Sequence, residues 1–181
     1  MSEEKKEGPK HQQLFPPSIV VKDNIPIPEG WIDKCEEWCK KYGKYIDHGR
    51  LWTTYGSKNE AHVVPWIYKV LEPLAPQDAF DNSWVQVYEP GGFHPIHNHG
   101  STGLSGILYL DFPQGVPPTS FVQPWNNIFT DNSVYCTPQV REGDIVVVPS
   151  NIFHFTQPNR TDKLKRTISW DMAIHTDTKI T

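Results

Sequence analysis

The amino-acid sequence predicts a mainly-β fold, a jelly-roll-like double-stranded β-helix barrel behind two N-terminal helices. Two patterns lead there. Helical periodicity is confined to the first half of the chain, and from Phe80 onward it gives way to short runs rich in β-branched and aromatic residues, separated by Gly, Pro and Asn. Histidines then fall at the ends of such runs, where an open barrel presents side chains at its mouth.

Taken in order, residues 1–12 are charged and read as a disordered tail, and 13–181 read as a single domain. Leu14 to Val21 is a short apolar strand entered through prolines. Glu29 to Tyr42 carries Trp31, Cys35, Trp38, Cys39 and Tyr42 at helical spacing, and Pro65 to Leu74 is the second helix, with Pro65 tolerated in its first turn. About eight strands follow on turn signals and alternation. They are Trp84 to Tyr88, Pro95 to His99, Leu104 to Phe112, Ser120 to Gln123, Val134 to Val140, Asp144 to Val148, Phe153 to Gln157 and Arg166 to Ile174.

Composition narrows the function. The chain of 181 residues is 37% hydrophobic and 12% aromatic, enough for one packed core. A net charge of −4 provides no basic field for nucleic acid, and no apolar run approaches membrane-spanning length. The start, Ser2-Glu-Glu-Lys-Lys-Glu-Gly-Pro-Lys10, has no hydrophobic signal core, so a cytoplasmic location is the default expectation. Three cysteines, an odd number, argue against a disulfide framework, and Cys35 and Cys39 read as core residues of the first helix. Oligomeric state is left open.

The chemistry is concentrated in His94-Pro-Ile-His97-Asn-His99 and in Gly143-Asp-Ile-Val-Val-Val-Pro149 followed by His154. Alternate residues of a strand share a face, so His97 and His99 can grip one ion. His154 follows a buried-strand pattern and a turn, and closes the triad from a strand mouth. Imidazole suits iron, zinc, copper or nickel. His94, on the far side of Pro95, is a second-sphere or surface residue and a reserve ligand. Arg166 opens the last strand, twelve residues after His154, so a hairpin returns it beside the metal. Its planar guanidinium there would clamp a carboxylate with two prongs.

These residues resemble the Fe(II)- and 2-oxoglutarate-dependent oxygenases of the prolyl-hydroxylase-like type. The likeness runs from Val85-Gln-Val-Tyr88-Glu-Pro-Gly-Gly92 through His97-Asn-His99 and Leu104-Ser-Gly-Ile-Leu-Tyr-Leu110 to Gly143-Asp-Ile-Val-Val-Val-Pro149, His154 and Arg166. It implies that His97, His99 and His154 bind Fe(II), that Arg166 binds the distal carboxylate of 2-oxoglutarate, and that Tyr88 and Tyr109 line the cosubstrate pocket. It further implies that molecular oxygen hydroxylates a small-molecule or peptide substrate while 2-oxoglutarate is decarboxylated to succinate. Two departures stand out. The family's carboxylate ligand is replaced by His99, which keeps zinc as a second candidate metal. The small hydroxyl residue common two positions after the arginine is Ile168 here.

Two other classes fit part of the pattern. Gly91, five residues, His97-x-His99, and later Gly143, five residues, Pro149 resemble the motifs of cupin dioxygenases and isomerases, but the glutamate expected after the second histidine is missing from Gly100-Ser-Thr-Gly-Leu104. A non-catalytic jelly-roll binding module with a structural zinc would close the metal's coordination sphere, whereas an enzyme keeps it open. The Pro113 to Trp125 and Asn126 to Ser133 stretches are long enough to serve as a substrate lid or as plain surface connections.

Overall fold

In the computed structural model, residues 21–56, 67–68, 80–127 and 129–172 are described. Two antiparallel sheets lie face to face in a jelly-roll-like arrangement. The larger has the order β1-β9-β6-β11-β4-β3-β2 and the smaller β5-β10-β7-β8. In chain order the strands are β1 (Val21–Asn24), β2 (Lys44–Ile46), β3 (Leu51–Thr53), β4 (Phe80–Tyr88), β5 (His94–His97) and β6 (Leu104–Asp111). Then come β7 (Thr119–Val122), β8 (Tyr135–Cys136), β9 (Asp144–Pro149), β10 (His154–Thr156) and β11 (Lys165–Met172).

Among the described residues there is one α-helix, α1 (Trp31–Tyr42), where two were expected. The second, expected over Pro65 to Leu74, lies outside the described residues except for Ile67 and Tyr68, which are buried. The strand expected over Leu14 to Val21 falls outside them too, apart from Val21. The hairpin β2–β3 is absent from the sequence reading because three-residue strands are too short to show a period.

Strand alternation divides the larger sheet into two faces and so decides what each residue can do. On β11, Ile168, Trp170 and Met172 face α1 and join a core with Trp31, Cys35, Cys39, Val85, Val87, Leu108 and Ile145. Full burial of each aliphatic side chain contributes roughly 1.5–3 kcal/mol. The indole of Trp170 lies on Gly106, where a Cβ would sit 2.1 Å from the ring, so only glycine allows this approach. The opposite face of the sheet meets the smaller sheet in a second core of Tyr109, Phe121, Val146, Val148 and Ile152.

The register of β11 is fixed by the turn before it. Asn159 is buried, and its amide donates to the carbonyls of Lys163 at 2.7 Å and Glu89 at 3.3 Å, while its Oδ1 accepts from the Thr161 hydroxyl and N–H. Its backbone also exchanges bonds with Gly91 and Gly92. A connection held this firmly leaves β11 one way to enter the sheet, with Lys165 opposite Tyr88 and Ser169 opposite Trp84.

Candidate metal centre and cosubstrate cavity

Three imidazoles converge between the sheets. The candidate ligand nitrogens of His97, His99 and His154 all lie within 4.8 Å of one another, and the Nε2 atoms of His97 and His99 are 3.3 Å apart. Two nitrogens each about 2.0–2.1 Å from one ion have a separation of that order. Each ring is oriented through its other nitrogen. His97 Nδ1 donates to the Pro95 carbonyl at 2.8 Å, His154 Nδ1 to the Ile152 carbonyl at 3.0 Å, and His99 Nδ1 to Asp171 Oδ1 at 2.7 Å. In every case the tautomer leaves the Nε2 lone pair facing the common point, the usual outer-sphere arrangement of a metal-binding histidine.

Local structure explains the convergence. His97 pairs with His154 across β5 and β10, and the register then shifts so that Thr156 pairs with His94. Pro95 and Ile96 of β5 therefore oppose the single Phe155 of β10, a bulge that exposes both and brings His94 and His97 onto one face despite their odd spacing. His94 consequently lines the cavity, its ring 4.1 Å from that of His97. It stands outside the group of three but adjoins it, rather than at the surface. His99 is held by its backbone N–H on the Ser150 carbonyl and by stacking on Trp84 at 5.3 Å.

Burial sets the protonation. Removal from water pushes His154 down to about 4 and His94 down to about 3, with nearby imidazoles adding to the effect, and it also lowers His97. These rings are neutral at neutral pH, the form that binds metal. The donor set of three imidazoles fits a divalent first-row ion.

The centre opens on a cavity of about 230 Å³. Thr119, Phe121, Thr156 and Tyr88 line one part of it and Lys44, Thr53, Tyr55 and Trp84 another. Among the described residues the Asn126 to Ser133 stretch contributes nothing to its lining, so of the two candidate lids only Thr119 and Phe121, both in β7, reach it.

The structure places Arg166 elsewhere. Its guanidinium pairs with Asp111 and with Glu36 of α1, on the face turned away from the histidines. Parity is the reason, since Arg166 shares a face with Ile168 and Trp170. The inward cation is its neighbour. Lys165 is 1% exposed, donates to the Pro117 carbonyl at 3.0 Å and lies 4.1 Å above the ring of Tyr88, a cavity-wall residue. No carboxylate among the described residues pairs with it, and burial alone pushes it down to about 7. Thr167 and Ser169 continue this inner face, donating to Gln86 Oε1.

Of the two tyrosines, Tyr88 lines the cavity and burial raises its phenol. Tyr109 lies in the core between the sheets, its hydroxyl accepting the Thr119 N–H at 3.2 Å, and does not line the cavity. Two residues escaped sequence reasoning, Lys165 and Asp171. The signal for both was the alternation of Thr167, Ser169 and Asp171 with Ile168, Trp170 and Met172, whose parity groups Lys165 with the polar set and Arg166 with the apolar one.

Comparison with known proteins bears on this site directly. A family model described as "Putative 2OG-Fe(II) oxygenase" matches residues 82–171, a span that holds all three histidines, Lys165 and Asp171. The chain belongs to the 2OG-Fe(II) oxygenase superfamily.

This 2OG-Fe(II) oxygenase shares its fold with several solved structures. A prolyl-4-hydroxylase from Pseudomonas putida superposes with a TM-score of 0.59 at 12% identity, over 86% of this chain and 92% of that one. The non-heme alpha ketoglutarate dependent carbocyclase SnoK from nogalamycin biosynthesis gives 0.59 at 14% identity, over 85% and 79%. HygX from Streptomyces hygroscopicus, with nickel, 2-oxoglutarate and hygromycin B bound, gives 0.57 at 11% identity, over 88% and 84%. No curated protein matches. Among the described residues, no helix is long and apolar enough to cross a membrane.

Arg166 has a structural role that a stability measurement can isolate. Removing a partner from a largely buried ion pair costs about 3 kcal/mol, toward the low end of the usual range because Glu36 is 34% exposed. Arg166→Ala should therefore lower the unfolding free energy by roughly that amount, read from denaturant titration, and leave metal affinity unchanged. A variant as stable as the parent would show that the Glu36–Arg166–Asp111 link does not hold α1 to the sheet.

Proposed function

We propose that this protein is an Fe(II)- and 2-oxoglutarate-dependent dioxygenase that hydroxylates a small-molecule or peptide substrate, with His97, His99 and His154 as metal ligands. The distal carboxylate of 2-oxoglutarate is assigned to Lys165 in place of Arg166. One observation carries this reading: among the described residues no carboxylate pairs with the buried ammonium of Lys165, which lies over Tyr88 in the wall of the cavity that the three imidazoles line. A buried unpaired cation is costly, and an incoming carboxylate relieves that cost.

Iron bound here would couple decarboxylation of 2-oxoglutarate to oxidation of a substrate C–H bond by oxygen. The chain's own residues do the positioning. Lys165 fixes one end of the cosubstrate, with Tyr88 as a flat wall and the Thr119 and Thr156 hydroxyls beside it. The region of Lys44, Thr53, Tyr55 and Trp84 is assigned to the primary substrate, since it adjoins His99 through the Trp84 ring and leads to solvent at Tyr55, which is 52% exposed. The solved relatives named above include a hydroxylase and a carbocyclase, so the fold alone does not choose the reaction; hydroxylation is the assignment advanced here.

The test uses iron and cosubstrate without a primary substrate. Anaerobic addition of 2-oxoglutarate to the Fe(II)-loaded protein should produce a weak visible charge-transfer band, and admission of air should release succinate slowly. Absence of both at saturating iron and 2-oxoglutarate would transfer the site to a cupin-type enzyme or a structural metal.

A further inference from the structure

The three imidazoles differ in one respect. His97 and His154 each give Nδ1–H to a neutral carbonyl, whereas His99 gives its own to a carboxylate, Asp171 Oδ1, at 2.7 Å. Asp171 is mostly buried, at 17% side-chain exposure, and its hydrogen-bond partners all donate to it. Besides His99 these are the Ser105 hydroxyl at 2.7 Å and, more distantly, the Asn82 amide at 3.5 Å. Ser105 is tied in turn to the Ser150 hydroxyl at 2.9 Å, and Ser150 accepts the His99 backbone N–H with its carbonyl. The carboxylate, the imidazole and the backbone of His99 thus form one closed set of bonds.

We infer that Asp171, acting through His99, supplies the negative charge that a three-histidine ligand set lacks, and is a positioning residue for the metal. The inference rests on the metal site proposed above. Three neutral donors leave a divalent ion with its full charge, and a set that includes a carboxylate removes part of it. A carboxylate on the Nδ1–H of a ligating imidazole raises the basicity of its Nε2 and moves charge toward the ion. Position 99 is also where the family resemblance expects the carboxylate ligand itself. In this chain a carboxylate stands behind that ligand, and β11 delivers it because Asp171 has the inward parity of Lys165, Thr167 and Ser169.

The probes are Zn(II) and Fe(II) alone, titrated anaerobically into the whole chain, together with the reduction potential of the bound iron. Asp171→Asn keeps an oxygen that accepts from His99 and removes only the charge. It should weaken Zn(II) and Fe(II) binding by about 10- to 100-fold, the usual range for such partners. It should also raise the iron potential, because the lost charge stabilises Fe(III) more than Fe(II). Asp171→Glu should hold the potential near that of the parent even where reach or packing lowers affinity. Ser105→Ala, which disturbs the same network without changing charge, should leave the potential in place. Parent-like affinity and potential in Asp171→Asn would overturn the inference. So would an affinity loss with an unshifted potential, which is what a purely structural role produces. Failure of the parent to bind either ion would instead remove the metal site on which the inference stands.

Discussion

His154→Ala should abolish stoichiometric Fe(II) binding. The proposed site has three ligands and His154 is the one delivered by a separate strand, so its loss leaves only the pair from the 97–99 segment. Apparent binding energies of structural Zn²⁺ sites are about 10–16 kcal/mol, so one ligand of a small set accounts for several of them. The loss expected here is at least about a thousandfold, following the rule that about 1.4 kcal/mol is tenfold. Metal content after anaerobic loading and gel filtration checks it, with a thermal melt to show that the variant folds. His94 makes the result informative. Its ring lies 4.1 Å from that of His97, so a variant that still binds one ion tightly would assign His94 as a true ligand and break the proposed triad.

Lys165→Met should cripple 2-oxoglutarate binding and at the same time stabilise the fold. Truncating one partner of a buried charge pair typically costs about 2–5 kcal/mol, so cosubstrate affinity should fall by roughly 30-fold or more. Without the cosubstrate the same ammonium has no counter-ion among the described residues, and an apolar side chain of similar length relieves that burden. Opposite signs for binding and stability are the signature of a site residue held at a structural cost. The pH dependence follows. Because burial lowers Lys165 from 10.5 to about 7, the unfolded chain holds more protons than the folded one between those values. Stability of the unliganded protein should therefore rise with pH across that window, a trend absent in Lys165→Met. A bound carboxylate favours the charged amine, so 2-oxoglutarate binding near pH 8 should take up a proton. Calorimetry in buffers of differing ionisation enthalpy measures this, and normal affinity in Lys165→Met would exclude the residue from the site.

Much of the architecture was legible in the sequence because the strands are long enough to alternate and are bounded by Gly, Pro and Asn. The expected run Leu104 to Phe112 is β6 (Leu104–Asp111), and Asp144 to Val148 is β9 (Asp144–Pro149). The cluster of His97, His99 and His154 was legible for a similar reason, as two alternate positions and a strand mouth. Arg166 was misplaced because chemistry was weighed before parity. A guanidinium is the more familiar carboxylate partner, and the sequence offers both cations side by side, but Ile168 and Trp170 commit position 166 to the helix-covered face. The placement of His94 was illegible because it depends on a bulge, which adds a residue to β5 without any signature in its composition.

The turn closed by Asn159 gives the chain an unusual sensitivity to length. Surface connections between strands ordinarily tolerate insertion and deletion. Here Lys165 and Arg166 are adjacent cations committed to opposite faces, one over the ring of Tyr88 in the cavity wall and one to α1. A single residue gained or lost ahead of β11 would exchange them, and with them every side chain back to Asp171. Residues that never touch the histidines thereby decide which cation stands behind Tyr88, and the spacing from His154 to the last strand is as much a part of the proposed site as its side chains.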